Sequence, residues 1–567
     1  GGYLALLAPE VRNEGVMTAS LGTALLAAGN KVTLNLDNGS LLGYSIDQGA
    51  INALAENKQL IKADGGQVLL SAKAMDALTT ATVNNTGIIE ARTIQNKAGR
   101  IMLMGDMVHG TVNVGGTLDA SAPNGGNGGF IETSAALVNV AVGTKVTTLA
   151  ANGKTGKWLI DPNDFTIAAS GGNMDAATVV SNLAITDFEI QTATMGTAGN
   201  GDIHVNEALT WSSANTLTLT AQRNININQA ITATNGGLTL NAANQITAPA
   251  AVSVSTFTLA NGTWSQLGTL PAFSAKDFRI NSGTFIRALG GDGLSAGSAY
   301  QIADIYGLQG AGSAGMLDKN YQLANNIDAS GTVNWNNGAG FNPIGDSRPG
   351  HHFTGNLAGL GRTINSLTIY RPDTDYVGLF GFLGDPLLGV YQPGASSNAG
   401  NISNVGLVGG SVTGRAFVGP LVGSAFYGMI TNSYASTTVA GISGSSYSDS
   451  VGGLVGAAEG MQIRYSYATG NVTGGIRVGG LVGDFFNGRL MDSYASGVVR
   501  GVAMVGGLAG RYGSAGTGDP AAFGLIRSHA TGDVIGDSSG SSYVGGLVGS
   551  TEIANFDLLT ALYATGQ

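Results

Sequence analysis

The phrases V-G-G-L-V-G at residues 451–456 and S-Y-A-T-G at residues 466–470 decide the fold, because both recur through residues 418–567. The first phrase returns, intact or with a single substitution, at residues 418–423, 478–483, 505–510 and 544–549. The second phrase returns in part at residues 433–435, 493–495, 528–530 and 562–564. From Val451 to Val478 and on to Val505 the period is 27 residues. Fixed blocks separated by insertions are typical of a solenoid, because each repeat forms one coil and insertions leave it as loops.

Strands rather than helices are predicted for these coils. Both phrases are short and rich in glycine, and each interior glycine costs a helix about 1 kcal/mol. Val, Leu and Tyr suit the half-buried surface of a sheet. Glycine allows either a turn at positive φ or a close approach to the next coil. Coils stacked in register pair each strand with its equivalent one repeat away. The residues therefore predict an all-β chain wound as a parallel β-helix.

Composition argues against several classes of protein. Glycine supplies 91 of the 567 residues, only 11% of residues are charged, and 43% are apolar, which is not a disordered composition. A net charge of −10 without Lys/Arg clusters argues against nucleic acid as a partner. No apolar run approaches the roughly 18–20 residues of a membrane span, so direct membrane insertion is not expected. Cysteine is absent, which suits a chain exported unfolded.

The first 165 residues repeat a different phrase, seen as G-Q-V-L-L at residues 66–70 and G-R-I-M-L at residues 99–103. Each copy leads to an Asn/Gly turn and another short alternating segment, the pattern of strand, turn and strand. Three stretches interrupt the strand pattern. Residues 51–61 have helical spacing after Asp47, a candidate cap, and residues 175–183 predict a second helix. Residues 303–310 are compatible with either a helix or a loop.

Two blocks carry a resemblance to a known family: G-G-F-I-E-T-S at residues 128–134 and G-K-W-L-I-D-P-N-D at residues 156–164. They resemble the filamentous-haemagglutinin-like exoproteins of bacterial two-partner secretion, in the segment that follows their secretion domain. The later V-G-G-L-V-G and S-Y-A-T-G units are similar to the GLUG repeats of bacterial surface adhesins. The resemblance implies a right-handed β-helical rod that an outer-membrane transporter exports and that serves in attachment at the cell surface or in the extracellular matrix.

Three segments are predicted along a continuous rod. Residues 1–165 would form haemagglutinin-like coils following the secretion domain, residues 166–335 a continuing β-helix with short helical insertions, and residues 336–567 the GLUG-type coils. With about 22–27 residues and about 4.8 Å for each coil, the rod would be on the order of 100–130 Å long. Gly1 falls inside a repeat and Gln567 follows directly after Y-A-T-G, which predicts a longer natural chain.

Catalytic and metal-binding chemistry was sought among the carboxylates and histidines. Glycoside hydrolysis needs two carboxyl groups roughly 5–10 Å apart, and the sequence offers the pairs Asp161/Asp164, Asp373/Asp375 and Asp533/Asp537. All lie beside Pro, Gly or Ser, where Asp commonly bonds its own backbone, so turn chemistry is predicted for each pair. His351 and His352 would point to opposite faces of a strand, so a solvated loop is predicted rather than a metal site. No catalytic residue, metal ligand or cofactor is predicted.

The candidate ligand-binding residues are an aromatic set that recurs once in each repeat: Tyr434, Tyr467, Tyr494 and Tyr563, with His529 in the equivalent position. If Ser433 and Ala435 point inward, Tyr434 points out, and equivalent rings stack about 4.8 Å apart. An exposed ladder would offer aromatic faces and hydroxyl groups to sugar rings. Alternatively, the rings fill or rim the core and only stack on each other. Insertions at residues 385–397, 441–449 and 513–522 are rival binding surfaces.

The sequence as a whole predicts a non-enzymatic extracellular adhesin segment that binds a glycan, a matrix polysaccharide or other copies on neighbouring cells. Scaffold residues recur from repeat to repeat, whereas catalytic types of residue do not. Two alternatives remain open: a polysaccharide-degrading β-helix enzyme, and a receptor for a host or nutrient-carrier protein. Carboxylates with perturbed pKa values in a groove would favour the enzyme, and long loops would favour the receptor.

Overall fold

The structure is a computed structural model that describes residues 2–37, 40–193, 199–386, 399–442, 449–515, 523–537, 543–552 and 558–567. It consists mainly of β-strands in parallel sheets, with few and short helices, which confirms the predicted all-β class. The chain divides into two compact units. The first comprises Gly1–Ser265 and Pro271–Gly283, and the second comprises Gln266–Leu270 and Thr284–Gln567. The predicted division into three sequence segments stays a prediction.

The first unit is built around one large sheet. Successive strands pair in parallel and in register, so that Ile101 lies opposite Val68 on one side and Ile131 on the other. The strands are Tyr3–Ala8, Thr23–Ala28, Gln67–Ala72, Arg100–Met104, Phe130–Ser134, Lys157–Asp161, Phe165–Ile167, Asp187–Gln191, Ile203–Val205, Leu209–Trp211, Thr216–Ala221, Ile225–Ile227, Ile231–Thr247, Val252–Leu267 and Phe273–Ile280.

Two smaller parallel sheets and a hairpin complete the first unit. One sheet contains Glu10–Asn13, Asn52–Asn57, Thr80–Asn85, Gly110–Val114 and Leu137–Val140, and the other contains Val16–Thr18, Leu60–Lys62, Ile88–Glu90, Thr117–Asp119 and Lys145–Thr147. Strands Lys31–Asp37 and Ser40–Gln48 pair antiparallel. Alternate residues such as Val83 and Val112 are buried and lie opposite each other, so equivalent apolar side chains stack to form the core.

A row of asparagines shows how this unit buries polar side chains without burying charged ones. Asn13 donates its side-chain amide to Asn57 Oδ1 at 2.8 Å, and Asn57 donates in turn to Asn85 Oδ1 at 2.8 Å. Asn85 donates to the carbonyl oxygen of Gly115 at 2.6 Å. Each amide both donates and accepts, so the row satisfies itself from strand to strand, and no like charges accumulate along the stack.

The structure decides the three helix expectations. The helix over residues 175–183 is confirmed: α1 is Ala176–Leu183, and Asp175 caps it by accepting from the backbone N–H of Thr178 at 2.9 Å. Residues 303–310 contain a helix, α2, at Ile305–Gly310. Other helical turns are Ala296–Ser298, Ser330–Asn334 and Trp335–Gly338. Among the described residues, no helix is both long and apolar enough to cross a membrane.

The helix expected over residues 51–61 is wrong, because this stretch forms strands Asn52–Asn57 and Leu60–Lys62. Ala53, Ala55 and Asn57 are buried in strict alternation, a two-residue period that a helix cannot match. Asp47 does not cap a helix: its carboxylate accepts from Thr33 and Ser45 on the hairpin. This stretch pairs with strands on both sides, and the amide of Asn57 belongs to the asparagine row. These contacts between repeats outweigh the helical spacing of the sequence.

The second unit contains four parallel sheets, as far as the described ranges show. We call the sheet that carries the aromatic set the tyrosine sheet. Its strands are Tyr300–Ile302, Asn320–Leu323, Ile327–Asp328, Asn356–Asn365, Asn401–Val408, Met429–Thr431, Tyr434–Ala435, Gln462–Arg464, Tyr467–Ala468, Arg489–Met491, Tyr494–Ala495, Gly524–Ile526, His529–Ala530, Leu558–Thr560 and Tyr563–Ala564. Every repeat adds one strand pair in register, as the sequence period predicts.

The remaining sheets of the second unit follow the same rule. We call one the groove sheet, formed by Phe380–Leu383, Val422–Phe426, Val455–Glu459, Val482–Phe486, Ala509–Gly513 and Val548–Glu552. A third sheet contains Thr368–Arg371, Ser411–Gly414, Thr438–Gly441, Val472–Thr473, Val499–Gly501 and Val534–Gly536. A fourth sheet contains Val451–Gly452, Ile476–Gly479, Ala503–Gly506 and Val544–Gly545. The second unit also contains the strand Thr284–Ala288, which belongs to none of these four sheets.

Glycine in the phrase V-G-G-L-V-G is required by the distance between repeats. A Cβ atom on Gly453 would lie 2.0 Å from the carbonyl oxygen of Gly480, and one on Gly480 would lie 2.1 Å from that of Gly507. Such contacts are impossible, so any side chain here would push neighbouring repeats apart. Neither Gly453 nor Gly480 has a positive φ. Of the two roles expected for glycine, close approach is therefore the one that operates at this position.

The apolar residues of the same phrase point inward. Val451, Leu454, Val478 and Leu481 each have no exposed surface, which confirms the predicted register. Val451 lies opposite Val478, and the backbone N–H of Leu454 donates to the carbonyl oxygen of Leu481 at 2.9 Å. Each repeat thus covers the apolar side chains of the previous one and presents its own to the next.

Leu481→Asp should destabilise the second unit locally. Removing the leucine side chain costs about 2–5 kcal/mol, and the unpaired buried charge adds to this cost. Because each repeat contacts mainly its neighbours, the damage should concentrate in nearby repeats. Limited proteolysis with mass-spectrometric mapping should then find new cleavage sites within residues 418–567. Leu481→Met, which preserves volume, should give the wild-type pattern. New cleavage confined to residues 1–165 would contradict the register.

Candidate functional site

The aromatic set forms a continuous stack on the outer side of the tyrosine sheet. Ring centroids are 4.8 Å apart for Tyr434 and Tyr467 and 4.7 Å for Tyr467 and Tyr494, with interplanar angles of 6° and 5°. The stack continues through His529, whose ring lies 5.1 Å from that of Tyr494 and 4.5 Å from that of Tyr563. We call these five side chains the tyrosine row.

Buried neighbours turn the tyrosine row outward. Ser433 and Ala435 are fully buried, whereas Tyr434 between them is half-buried, and the next three repeats show the same alternation. In the last repeat Tyr563 is exposed. Ser466 Oγ donates to the carbonyl oxygen of Arg464 at 2.8 Å and accepts from the backbone N–H of Ser433 at 3.3 Å. The serine hydroxyl thus ties each turn to the preceding repeat, and Tyr434 points out, one of the two orientations that the sequence left open.

The stacking changes what the tyrosine row can offer to a ligand. The face of each inner ring is covered by the ring of the next repeat, and the ring of Tyr434 also lies over Gly406, where a Cβ would meet Tyr434 Cζ at 2.4 Å. The expectation that flat ring faces are presented to sugars is therefore wrong for these inner rings. Ring edges remain available in each repeat, and a hydroxyl group remains available in each repeat except that of His529. Burial raises the pKa of Tyr467, with help from Tyr494 and Tyr434, so its hydroxyl stays protonated.

Ligand binding by Tyr434, Tyr467, Tyr494 and Tyr563 stays a prediction. The rival loops at residues 385–397, 441–449 and 513–522 lie largely outside the described residues. The tyrosine row is consequently the predicted site whose geometry can be given in full. Its repeated hydroxyl groups suit hydrogen bonding to a periodic partner, because their spacing follows the strand spacing of the sheet.

Of the three predicted carboxylate pairs, most members serve the fold. Asp164 accepts from the backbone N–H groups of Asn200 and Asp202, each at 2.8 Å, and so ties two repeats together. Asp375 instead forms a bidentate ion pair with Arg415, at 2.7 Å for both contacts. Asp533 accepts from the backbone N–H of Gln567 at 3.1 Å, and Asp373 and Asp537 are exposed. The predicted bonding of each Asp to its own turn is therefore wrong for Asp164, Asp375 and Asp533, whose partners lie 34–40 residues away along the chain.

Asp161 is the exception among these carboxylates. It ends strand Lys157–Asp161, and its buried Oδ1 has no hydrogen-bond partner among the described residues. Burial, together with repulsion from Glu132 and Glu189, raises the pKa of Asp161 to about 6. Turn chemistry is thus wrong for Asp161. Its neighbours could not be identified from the sequence, because Glu132 and Glu189 come from the strands on either side.

The acidic neighbours of Asp161 are themselves occupied. Glu132 accepts from Ser134 Oγ at 3.0 Å, and Glu189 accepts from Thr220 Oγ1 at 3.1 Å and pairs with Lys157. These bonds fix both glutamates on the outer face of the large sheet. The arrangement keeps Asp161 protonated up to about pH 6, and both neighbouring glutamates already accept hydrogen bonds.

The histidine prediction holds only in part. His351 is half-exposed, with its ring 3.4 Å from the guanidinium of Arg348. His352 is buried, so a solvated loop is wrong for this residue: its ring stacks on Phe382 at 4.5 Å. His352 Nδ1 lies 3.6 Å from Asp385 Oδ1. Over the described ranges, no group of three or more His, Cys, Asp or Glu residues is placed to hold a metal ion.

Comparison with known proteins supports the repeat assignment. The family model "The GLUG motif" matches residues 447–473, one repeat of the second unit. Halomucin from Haloquadratum walsbyi (strain DSM 16790 / HBSQ001) is 33% identical over 204 residues, which is 35% of this chain and 2% of halomucin. The chain therefore spans only a small part of the length of that relative.

A similar solved structure was also found, at low similarity. It is a protein from Bacteroides ovatus named "putative immunoglobulin A1 protease", with 21% sequence identity and a TM-score of 0.34. The match covers 49% of this chain and 77% of that one. At this TM-score the similarity carries no argument about fold or function.

The raised pKa of Asp161 predicts a pH dependence of stability. The folded state holds the proton up to about pH 6, whereas the unfolded chain releases it near pH 3.8. The folded state thus binds more protons between these values, so this contribution to the free energy of unfolding falls as the pH rises from about 4 through about 6. Asp161→Asn should flatten this fall and raise stability at pH 7.5, measured by urea unfolding at pH 4.5 and 7.5.

Asp373→Asn, at an exposed carboxylate, is the matched control and should leave the pH dependence unchanged. A wild-type pH dependence in the Asp161→Asn variant would show that this carboxyl is solvated rather than buried among acidic neighbours.

Proposed function

We propose that this chain is a segment of an extracellular or cell-surface adhesin, without enzymatic activity, whose units wind as right-handed parallel β-helices in a rod. The observation that carries the proposal is the unbroken register of the second unit, in which each repeat adds the same inward residues and one outward aromatic residue. A repeated shape suits many weak contacts better than it suits one reactive site. The GLUG match and the similarity to halomucin support a surface location.

Avidity explains how such a surface would hold a cell. A single hydroxyl contact is weak, about 0.5–1.5 kcal/mol net. Contacts repeated along a rigid scaffold raise the effective affinity by roughly 10²–10⁴ without any new type of contact. A glycan or matrix polysaccharide is a suitable partner because it also repeats, and copies on neighbouring cells are a second. Two-partner secretion through an outer-membrane transporter is the proposed export route, on the resemblance of residues 128–134 and 156–164.

A polysaccharide-degrading enzyme is the second candidate, and Asp161 is the observation that favours it. A carboxyl group that stays protonated up to about pH 6 can act as a general acid in weakly acidic solution. The proposal of an adhesin is nevertheless better supported, because inverting and retaining hydrolysis both need a second carboxylate that is free to act. Glu132 and Glu189, the acidic neighbours of Asp161, are held by Ser134, Thr220 and Lys157.

Adhesion should depend on the hydroxyl groups of the tyrosine row. Replacing Tyr434, Tyr467, Tyr494 and Tyr563 together by Phe keeps the stacked rings and removes the hydroxyls. Beads coated with the 567-residue chain should then be retained several-fold less on a bacterial polysaccharide matrix under flow, since each lost bond costs about 0.5–1.5 kcal/mol. Tyr370→Phe with Tyr465→Phe, at exposed tyrosines outside the row, should change nothing.

Retention of the quadruple variant at the wild-type level would show that the tyrosine row is structural and that another surface binds. Release of soluble oligosaccharides by the wild-type chain, and not by the Asp161→Asn variant, would replace the adhesin proposal with the enzyme.

A further inference from the structure

A groove opens on the outer face of the groove sheet, on strands that carry no part of the tyrosine row. Its base follows one column of register partners: Phe382 lies opposite Ser424, Ser424 opposite Ala457, Ala457 opposite Asp484, and Asp484 opposite Arg511. A second column runs beside it, from Phe426 through Glu459 to Phe486. The position between the two columns points inward and is buried in each repeat, from Leu383 through Ala425 and Ala458 to Phe485.

One end of the groove is aromatic. Tyr376 and Phe417 stack with centroids 4.8 Å apart and an interplanar angle of 2°, and Phe382 and Phe426 stack at 5.3 Å and 16°. Tyr376 also meets Phe382 edge-on at 5.5 Å and 64°. The two stacks therefore form a corner rather than a flat plate. Phe417 and Phe426 are only half-buried, so this corner still presents apolar surface to the groove.

The other end of the groove is charged and rigid. Asp484 accepts from Arg511 Nε and Nη2, each at 2.8 Å, and from Arg477 Nη1 at 2.7 Å. The guanidinium of Arg511 lies 5.8 Å from the ring centroid of Phe486 and 3.5 Å from Glu552. Such a network fixes the donors before any ligand arrives, which lowers the entropic cost of binding.

Small residues in the middle of the groove leave an open space between its aromatic end and its charged end. Ser424 and Ala457 occupy the outward positions where Phe382 and Asp484 stand in the flanking repeats. The resulting cavity has a volume of about 510 Å³, within the range of about 300–1,000 Å³ that small-molecule sites commonly have. From Phe382 to Asp484 the column crosses three strand spacings, about 14 Å. This length suits a short chain of linked rings rather than a single small molecule.

The charges around the groove favour a neutral, hydroxyl-rich ligand. The two carboxylates of Asp484 and Glu552 face the two guanidinium groups of Arg477 and Arg511, so neither sign dominates the charged end. Burial raises the pKa of Glu459, and the nearby Asp484 raises it further. A carboxyl group held toward its neutral form can donate a hydrogen bond as well as accept one. Sugar rings match both ends, because their C–H faces suit aromatic side chains and their hydroxyls suit fixed polar groups.

We propose that this groove binds a short segment of a neutral hexose polysaccharide, with its apolar faces against the corner of Phe417 and Phe426 and its hydroxyls toward Arg511 and Glu459. To cleave the bound chain, Glu459, whose pKa is raised, would need a second carboxylate that is free to act. Both oxygens of Asp484 are already held by arginine N–H groups, so this carboxylate is not free to act as a base or nucleophile.

The site is separate from the tyrosine row and stands on different residues. It deepens the proposed function by naming a ligand class, and it rests on that function only in assuming that polysaccharide is the partner. A negative result in the tyrosine-row test would not contradict binding at the groove. A negative result in the groove test would not contradict binding at the tyrosine row.

Filling the groove tests the proposal. Ala457→Phe places a ring in the space at the base, at an outward and half-buried position, while leaving the aromatic corner and the ion pairs intact. Ala440→Phe, also outward and half-buried but on the third sheet, is the matched control. The 567-residue chain and both variants are titrated calorimetrically with neutral tetrasaccharides of glucose, mannose and galactose in α and β linkage, and with tetragalacturonate. Product chromatography runs in parallel.

At least one neutral tetrasaccharide should bind the wild type and the control equally, and Ala457→Phe should weaken that binding at least roughly tenfold, equivalent to about 1.4 kcal/mol. The quadruple Tyr→Phe variant of the tyrosine row should bind like the wild type. Equal affinity in the Ala457→Phe variant, no binding of any neutral tetrasaccharide, or binding of tetragalacturonate alone would each overturn the proposal. Shortened products would overturn the statement that the groove binds without cleavage.

Discussion

The close approach of successive repeats is the constraint on which the second unit depends. Parallel strands pair across the repeats only if their backbones come within hydrogen-bonding distance, and at Gly453 and Gly480 the next carbonyl oxygen occupies the space of a side chain. The neighbouring residues turn this contact into a core: Leu454 and Leu481 are fully buried, and their backbones are joined at 2.9 Å. The backbone of the next repeat therefore requires glycine at Gly453 and Gly480. The side chains of the next repeat require an apolar residue at Leu454 and Leu481.

A strict register on the inside has a consequence on the outside. Residues at equivalent outward positions must stack, whatever their type, because their backbones are held about 4.8 Å apart. Where the type is constant, as in the tyrosine row, the result is a uniform ladder of rings. Where it varies, as from Phe382 through Ser424 and Ala457 to Asp484, the result is a shaped groove. One scaffold thus presents both a repetitive surface and a groove of varied composition.

The sequence predicted what the repeat determines directly. The parallel pairing and the buried Leu481 follow from the spacing of like residues, and the structure confirms them. Whether Tyr434 faces out was left open by the sequence, and the structure shows that it does. Sequence reasoning failed where contacts between repeats decide the outcome. The stretch at residues 51–61 has helical spacing, yet its neighbours on both sides make it a strand. The surroundings of Asp161 and the groove were missed because their members lie far apart along the chain and repeat no phrase.

Substituting glycine by alanine at a close approach tests the central claim most directly. In Gly480→Ala the added Cβ would meet the carbonyl oxygen of Gly507 at 2.1 Å, whereas in Gly331→Ala it would meet no atom within 4 Å. Neither glycine has a positive φ, so backbone strain does not separate the two. The account predicts that Gly480→Ala lowers the free energy of unfolding by about 1–3 kcal/mol or more, as overpacking does, and that Gly331→Ala changes it by no more than about 0.5 kcal/mol. Equal stability of the two variants in urea unfolding would contradict the account.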